Sequence, residues 1–315
     1  MKKKLALIIG ILVLSGIVAA IVWLLQGTDV PVLNPQGSIA TQQRDLIIVA
    51  LLLSAIVVVP VFILTFFIAW KYRASNHKAK YTPDWQSSRL LETIWWGIPC
   101  AIIIVLSIIT WKTSHSLDPY KPLESTTRPV EVQVVALQWK WLFIYPEYQI
   151  ASVNMLQFPE KTPVNFTITA DAPMNSFWIP SLGGQVYAMS GMSTKLHLIS
   201  NETGTYIGKS ANISGEGFAK MNFTAKAISQ NDFNTWTRAI KDSPNGLDLA
   251  SYAELAKPGE TKEPVYYSLK DNDLYDTIVM KYMGHDHSGS GEATTPNESH
   301  LHDHGTSIPN TEGDY

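Results

Sequence analysis

The chain has 315 residues, a formal net charge of −3 at pH 7 and a hydrophobic content of 46%. This length could hold one large domain or two ordinary ones. A slightly acidic chain without a basic excess is not expected to bind nucleic acid. We recognise no nucleophile, acid–base pair or nucleotide-binding loop in the sequence, so independent catalysis by this chain is not expected.

Apolar residues are concentrated toward the N-terminus, in runs at residues 5–25, 46–70 and 91–111. Each run is long enough to cross a hydrocarbon core, which takes roughly 20 helical residues. We therefore expect a membrane anchor of two or three helices, followed by a water-soluble domain. The first run, within residues 1–27, fits either a retained span or a cleaved signal peptide, because lysines precede it but no clear cleavage site follows.

The basic residues predict the orientation of the anchor, because loops rich in Lys and Arg stay in the cytoplasm. Lysines precede the first run, whereas the loop between the first and second runs carries only Arg44. Residues 28–112 are therefore predicted to form a transmembrane hairpin with a cytoplasmic connection and spans at about 46–70 and 91–111. The chain that follows then lies outside, which in a bacterium is the periplasmic face of the inner membrane. The basic residues between the second and third runs are Lys71, Arg73, Lys78, Lys80 and Arg89.

Beyond the third run the sequence changes from continuous apolar runs to short alternating or β-branched segments. These include residues 130–139, 164–169, 195–199 and 221–228, separated by turns that contain Pro, Gly and Asn. Such a pattern is typical of a β-sandwich or barrel, and residues 113–229 are predicted to form one such domain. In residues 230–284 we predict a helical extension, because Phe233, Trp236 and Ile240 recur at spacings of three and four.

The last segment, residues 285–315, is rich in His, Gly, Ser, Thr, Asn and acidic residues. It has too few apolar residues to bury, so we predict that it is disordered. Histidine-rich tracts can bind metals, but a tract without the geometry of a closed site would bind weakly. Metal handling is therefore the less favoured interpretation of His285, His287, His300, His302 and His304.

The sequence contains one cysteine, Cys100, which lies within the third apolar run. A mixed-valence copper pair needs two bridging thiolates and two imidazoles, and a mononuclear blue-copper site needs one thiolate and two imidazoles. Neither kind of site can be built in the predicted periplasmic domain.

Residues 210–221 read Ser-Ala-Asn-Ile-Ser-Gly-Glu-Gly-Phe-Ala-Lys-Met. This segment resembles the loop that holds the binuclear copper centre in subunit II of haem-copper oxidases, where the frame is Cys-x-Glu-x-Cys-x-x-x-His-x-x-Met. Residues 171–180 resemble the segment that carries the other histidine ligand of that centre. The corresponding positions here, of which only the methionine keeps the family's residue, are Asn175, Ser210, Asn212, Ser214, Phe218 and Met221.

Further collinear blocks at residues 33–37, 70–73, 111–112 and 138–141 extend this resemblance over residues 33–228. The resemblance implies a cupredoxin-like Greek-key β-barrel for the periplasmic domain, and hence a membrane-anchored α + β fold. Within the family, the version without copper is subunit II of quinol oxidases of the cytochrome bo type. Those enzymes take electrons from a lipid-soluble quinol and need no docking site for cytochrome c.

The resemblance also implies the cofactors and partners. This chain would bind no cofactor, the haems and copper would lie in a partner subunit I, and ubiquinol would be the substrate of the complex. The expected partners are subunit I, other small membrane subunits and the lipid membrane, but not cytochrome c. Two alternatives are subunit II of a cytochrome c oxidase, which the missing thiolates disfavour, and a membrane-anchored periplasmic copper-handling module.

Glu92 begins the third apolar run, beside Trp95 and Trp96. An acid at membrane depth is a functional candidate, but a carboxylate at a helix N-terminus is also favoured by the helix dipole. The residues alone leave both interpretations open. Residues 91–99 look like the family segment whose glutamate lies at the mouth of a proton-uptake pathway into subunit I, and this resemblance implies proton entry at Glu92.

Trp139 and Trp141 belong to a stretch that resembles the aromatic segment beside the copper centre of cytochrome c oxidases. Without copper to accept electrons, a role in electron entry is not expected. We predict that the two rings pack in the core or at a subunit interface, where aromatic side chains dominate the buried area.

Overall fold

The structure is a computed structural model that describes residues 30–79, 87–261 and 263–283, together with the isolated positions Gly16 and Ala20. Apart from those two positions, the predicted first span or signal peptide at residues 1–27 lies outside the described residues. The predicted histidine-rich tail at residues 285–315 lies wholly outside them.

Two long apolar helices precede the β-domain, α1 at Ser38–Lys71 and α2 at Arg89–Ser116. Both are long and apolar enough to cross a membrane. Within the described residues, Ala40 is the only buried residue of α1, and α2 has none. A helix that is apolar on every side is typical of a membrane span. The predicted pair of apolar N-terminal helices is confirmed.

The rest of the described chain forms two β-sheets with short helices. Short 3₁₀ turns lie at Pro146–Tyr148 and Phe218–Lys220, and the helices are α3 Gln230–Lys241, α4 Leu249–Leu255 and α5 Leu274–Met280. The strands are β1 Val130–Leu137, β2 Lys140–Tyr145, β3 Ile150–Val153, β4 Met155–Pro159, β5 Val164–Ala170, β6 Asn175–Trp178, β7 Val186–Ala188, β8 Thr194–Leu198, β9 Gly204–Ser210, β10 Asn222–Ile228, β11 Gly246–Leu247 and β12 Val265–Leu269.

One sheet has the strand order β11-β12-β3-β2-β1-β5-β8, and the other has the order β4-β10-β9-β6-β7. Strand β1 pairs in parallel with β5 and antiparallel with β2, so the connections cross over as in a Greek key. The two sheets enclose the main hydrophobic core.

Strand β2 is buried on both faces because its side chains alternate between two apolar clusters. Trp141 and Phe143 belong to the core between the sheets, where Phe177 and Phe223 stack with their centroids 5.2 Å apart. The intervening Leu142 belongs to a second cluster, shared with residues of α4 and α5. Helices of the C-terminal extension therefore cover the outer face of the first sheet.

The C-terminal extension contains both helices and strands. Helix α3 is capped by Ser229, whose hydroxyl accepts a hydrogen bond from the Asp232 N–H, and it buries Phe233 and Ile240. Strand β12 pairs antiparallel with β3, and β11 pairs with β12. Only helices were predicted here and both strands were missed, because β12 pairs with β3, more than a hundred residues earlier in the chain, and β11 pairs with β12.

The segment before α1 is fixed to the β-domain by backbone hydrogen bonds. The Gln36 N–H donates to the Ser181 carbonyl at 2.7 Å, and the Gln36 carbonyl accepts from the Asn201 N–H at 2.9 Å. A Cβ atom added at Gly37 would lie 2.5 Å from the Ile199 carbonyl oxygen, so this close approach requires glycine. The start of the membrane anchor is thus held against one end of the sheets.

Candidate functional site at the copper-ligand frame

Asn175 and Ser210, two of the positions that correspond by resemblance to the family's copper ligands, lie in contact on neighbouring strands. Phe177 of β6 pairs with Ser210 of β9, which brings the start of one strand to the end of the other. The Ser210 hydroxyl donates to Asn175 Oδ1 at 2.9 Å, and Asn175 Nδ2 donates to the Pro173 carbonyl at 2.7 Å. Asn175 and Ser210 are both buried. These two hydrogen bonds satisfy the buried hydroxyl and amide, as is usual for buried polar groups.

Met221 and Asn212 belong to the loop at residues 210–221 and lie close to Ser210 and Asn175, respectively. Met221 is 1% exposed and belongs to the main hydrophobic core, and its carbonyl accepts a hydrogen bond from the Ser210 N–H at 3.2 Å. Asn212 Nδ2 donates to the Met174 carbonyl at 2.8 Å, next to Asn175. The amide of Asn212 therefore ties the loop to the segment that carries Asn175.

The remaining two positions, Ser214 and Phe218, flank glycines that pack on Trp139. The Trp139 Nε1–H donates to the Ser214 carbonyl at 3.3 Å, and a Cβ atom at Gly217 would lie 2.3 Å from the indole ring. Gly215 has a φ of +112°, which disfavours other residues. Ser214 Oγ is buried and has no hydrogen-bond partner among the described residues, whereas Phe218 is half-buried.

The donor atoms of this frame do not fit a copper centre. Its side chains offer two amides, two hydroxyls, a phenyl ring and one thioether, but no thiolate and no imidazole. In the part of the chain that the structure describes, no group of three or more His, Cys, Asp or Glu side chains could hold a metal ion. We assign no electron-transfer step to this loop.

The two tryptophans of the aromatic stretch lie in different environments. Trp139 occupies the turn between β1 and β2, has a φ of +69° and is half-buried against the ligand loop. Trp141 is completely buried in the core, with its ring centroid 5.4 Å from that of Phe177 and 5.7 Å from that of Phe223. Trp141 is therefore inaccessible to an external partner, whereas Trp139 supports the shape of the loop.

Glu92 lies in the first turn of α2, where its N–H donates to the Ser88 carbonyl at 2.9 Å. The neighbouring Trp95 and Trp96 are among the most exposed aromatic residues of the chain. The structure thus places Glu92 at one end of the membrane anchor, while the copper-ligand frame lies in the β-domain at the other.

Sequence reasoning missed a buried carboxylate, Asp171, four residues before Asn175. The Asp171 side chain is 2% exposed, yet it accepts hydrogen bonds from Tyr252 Oη at 2.7 Å, from Lys281 Nζ at 2.8 Å and from the hydroxyl of Tyr282. Burial alone would raise the pKa of this carboxyl, but the bonds from Lys281, Tyr282 and Tyr252 hold it below its ordinary value. Asp171 therefore joins the ligand-bearing segment to the C-terminal extension.

The apolar hairpin, the two-sheet domain and the ligand frame define the class of this protein as an oxidase subunit II. Residues 149–228 match the model for the periplasmic domain of cytochrome c oxidase subunit II, and residues 241–286 match the COX aromatic-rich motif. The predicted cupredoxin-like fold is confirmed by this match and by the sheet topology.

The chain belongs to the cytochrome bo(3) ubiquinol oxidase subunit 2 family. It is 50% identical to the Pseudomonas putida member over 301 residues, which cover 93% of this chain and 94% of the relative. It is 51% identical to the Pseudomonas aeruginosa member over 262 residues, covering 83% and 79% of the two chains. The ubiquinol oxidase subunit 2 of Acetobacter aceti is 47% identical over 272 residues, covering 85% and 87%.

Proposed function

We propose that this chain is subunit II of a proton-translocating ubiquinol oxidase complex, in which it carries no redox centre of its own. The observation that carries the proposal is the hydrogen bond between Asn175 and Ser210, which occupies the place of an imidazole and a thiolate of the family's copper centre. The names of the relatives support ubiquinol as the electron donor, since those relatives are named as ubiquinol oxidase subunits.

The electron donor of the complex follows from the chemistry of the ligand frame. Electrons from a soluble cytochrome c would need an acceptor in the β-domain, and no group of three or more His, Cys, Asp or Glu side chains that could hold a metal ion occurs among the described residues. A quinol dissolved in the membrane can instead deliver electrons directly to haems in a partner subunit I. In this scheme the redox chemistry belongs to subunit I, and this chain braces and caps it.

The exposed helices α1 and α2 support a place among other membrane subunits. Their apolar side chains are exposed on all sides of the isolated chain, and lipid or neighbouring helices would cover them in the complex. With the basic loop between the helices in the cytoplasm, the β-domain faces the periplasm of a bacterial inner membrane. Subunit I and smaller membrane subunits are the partners that we infer.

Glu92 is the residue that we propose for proton entry. It lies in the first turn of α2, next to the basic loop that the charge pattern predicts to be cytoplasmic, and protons would enter from that side. A carboxylate there can exchange protons with water and pass them inward, which an amide cannot do. The role requires subunit I to lie against this end of α2.

Purification through a tag on this chain in mild detergent tests the assignment to an oxidase. Optical difference spectra of the purified material should show a b-type haem signal, because the haem-bearing subunit should remain attached. A folded, membrane-extracted chain that brings no haem protein with it would contradict the proposal and would favour the copper-handling alternative.

A second experiment tests the ligand frame. Restoring the family's ligands should create copper binding with a purple, mixed-valence spectrum if the loop has the shape that those ligands require. The matched control keeps serine at position 214, so that one bridging thiolate is missing and the binuclear spectrum should not form. A folded, fully substituted variant without copper would show that the likeness of the frame is superficial. The substitutions are Asn175→His, Ser210→Cys, Asn212→Glu, Ser214→Cys and Phe218→His.

A further inference from the structure

A cluster of basic residues lies at the end of α1 that leads into the loop before α2. Residues 71–89 contain five basic residues and one acidic residue, Asp84, so this end of the membrane anchor carries an excess of positive charge. The basic residues that the structure describes are all exposed, and they are Lys71, Arg73, Lys78 and Arg89.

These four cations have no acidic partner among the described residues, where none of them forms an ion pair. The opposite end of α1 differs, because Arg44 there pairs with the adjacent Asp45 at 2.9 Å. The positive charge at the loop end is therefore available to an anion from outside the chain.

Aromatic rings hold two of the cations in place. Lys71 Nζ lies 5.4 Å from the ring centroids of both Phe67 and Tyr72. The central guanidinium carbon of Arg73 lies 5.6 Å from the ring centroid of Trp70. Cation–π attraction restricts both long side chains before any anion binds. The entropy that is lost on binding is smaller for side chains that are already restricted.

Hydrogen bonds in the loop also fix the position of Arg73. Asn76 Nδ2 donates to the Lys71 carbonyl at 2.5 Å, and the Asn76 N–H donates to the Arg73 carbonyl at 2.8 Å. Arg73 Nε donates to Ser75 Oγ at 3.0 Å, whereas its two terminal nitrogens have no hydrogen-bond partner in the part of the chain that the structure describes. The outer edge of this planar fork matches the oxygen atoms of a phosphate group.

The aromatic residues place these cations at the level of lipid headgroups. The apolar run of α1 ends at Trp70, and Trp and Tyr side chains are enriched where hydrocarbon meets water. On the hydrocarbon side of Trp70, Phe62 and Phe66 are exposed, and their rings stack with centroids 6.2 Å apart. A cationic rim above an exposed apolar surface matches a molecule with an anionic headgroup and hydrocarbon chains.

We propose that Lys71, Arg73 and Lys78 bind the headgroup of an anionic phospholipid in the leaflet on this side of the membrane. The phosphate accepts hydrogen bonds from the outer nitrogens of Arg73, and the acyl chains lie along Phe62 and Phe66. The bound lipid fixes the depth of α1 on the side of the membrane where Glu92 lies. The proposal does not depend on the electron donor of the complex, so either can fail without the other.

Photo-crosslinking in the purified complex tests the proposal. The complex is reconstituted into phosphatidylcholine bilayers that contain a trace of phosphatidylglycerol or of phosphatidylcholine, each with the same photoactivatable acyl chain. Labelled peptides of this chain are then quantified by mass spectrometry. Peptides from residues 62–78 should carry about tenfold more label from phosphatidylglycerol, because the net charge of the headgroup decides the binding.

Equal labelling of these peptides by the two lipids would overturn the proposal. Loss of the labelling in excess inorganic phosphate, at constant ionic strength, would overturn it as well, since the site would then prefer a free anion to a lipid.

Variants locate the binding within the chain. Lys71→Gln and Arg73→Gln should each reduce labelling by phosphatidylglycerol by roughly fivefold, which is the effect of one cation near an anionic surface. Arg73→Lys, which keeps the charge but loses the planar fork, should give an intermediate loss. Lys112→Gln is the matched control, because Lys112 is also an exposed lysine beside an exposed tryptophan, Trp111, but lies at the other end of the anchor. Unchanged labelling in both Lys71→Gln and Arg73→Gln, or an equal loss in the control, would contradict the assignment.

Discussion

Removing the Asp171 carboxylate should loosen the C-terminal extension from the β-domain. Tyr252 is 6% exposed and donates to the carboxylate at 2.7 Å, and losing a hydrogen bond to a charged group costs about 1.5–3 kcal/mol. The side chain of Lys281 is 56% exposed, so solvent screening limits its ion pair to less than about 1 kcal/mol. The hydrogen bond from the Tyr282 hydroxyl to Asp171 should contribute a similarly small energy. Taken together, Asp171→Ala should lower the free energy of unfolding by about 2–4 kcal/mol.

Thermal unfolding of the full chain in mild detergent, followed by near-ultraviolet circular dichroism, measures this loss. For a domain of about 150–250 residues each kcal/mol corresponds to about 2–4 °C, so the Tm should fall by roughly 4–16 °C. Asp242→Ala is the control, since Asp242 is exposed at the end of α3. An unchanged Tm in Asp171→Ala would refute the inference that this carboxylate joins the two parts.

The same cluster predicts a pH dependence. The folded protein holds the pKa of Asp171 below its ordinary value, because the hydrogen bonds outweigh the effect of burial. A depressed pKa contributes stability that is present above the unfolded value of about 3.9 and is lost as the pH falls through the folded value. The difference in stability between wild type and Asp171→Ala should therefore be constant near neutral pH and narrow below about pH 4. A difference in stability between the two proteins that became larger at acid pH would contradict a lowered pKa of Asp171 in the folded protein.

Substitutions at three further positions test other parts of the account. Glu92→Gln should leave the haems in place yet slow quinol-dependent oxygen consumption, and Glu92→Asp should retain more activity. If Glu92 is only a helix-end charge, its loss costs roughly 0.3–1 kcal/mol and turnover stays at the wild-type rate. Phe177→Ala, in the core between the sheets, should cost about 3–5 kcal/mol in denaturant unfolding, and a cost below 1 kcal/mol would show that the cavity collapses. Gly208→Ala would place Cβ 2.0 Å from the Phe223 ring, so overpacking should cost about 1–3 kcal/mol, and unchanged stability would mean that the ring moves freely.

Local patterns in the sequence predicted the elements of this fold because their causes are local. A run of apolar residues long enough for a membrane predicts α1 and α2, and alternation predicts strands such as β5 and β10. Strand β11 has no comparable signal, and the short Val-Tyr-Tyr run that begins β12 does not show which strand it pairs with. Strand β11 has two residues, and β12 is specified by pairing with β3 across a long stretch of chain.

The candidate site was predictable only in part, because its contacts also join residues that are far apart in the sequence. The approach of Asn175 to Ser210 came from resemblance to a family, since the two are 35 residues apart and share no local pattern. The partners of Asp171 lie 81 to 111 residues later, in a segment predicted only as helical. A single aspartate in a polar turn is not distinguishable in sequence from any exposed acid, so its burial could not be foreseen.

Oxygen consumption by the complex purified through this chain tests the central claim most directly, because the claim concerns the electron donor. Ubiquinol should support oxygen reduction, whereas reduced cytochrome c should not, since the ligand frame offers no thiolate or imidazole for a copper acceptor. Oxidation of cytochrome c at a rate comparable to that of ubiquinol would contradict the account.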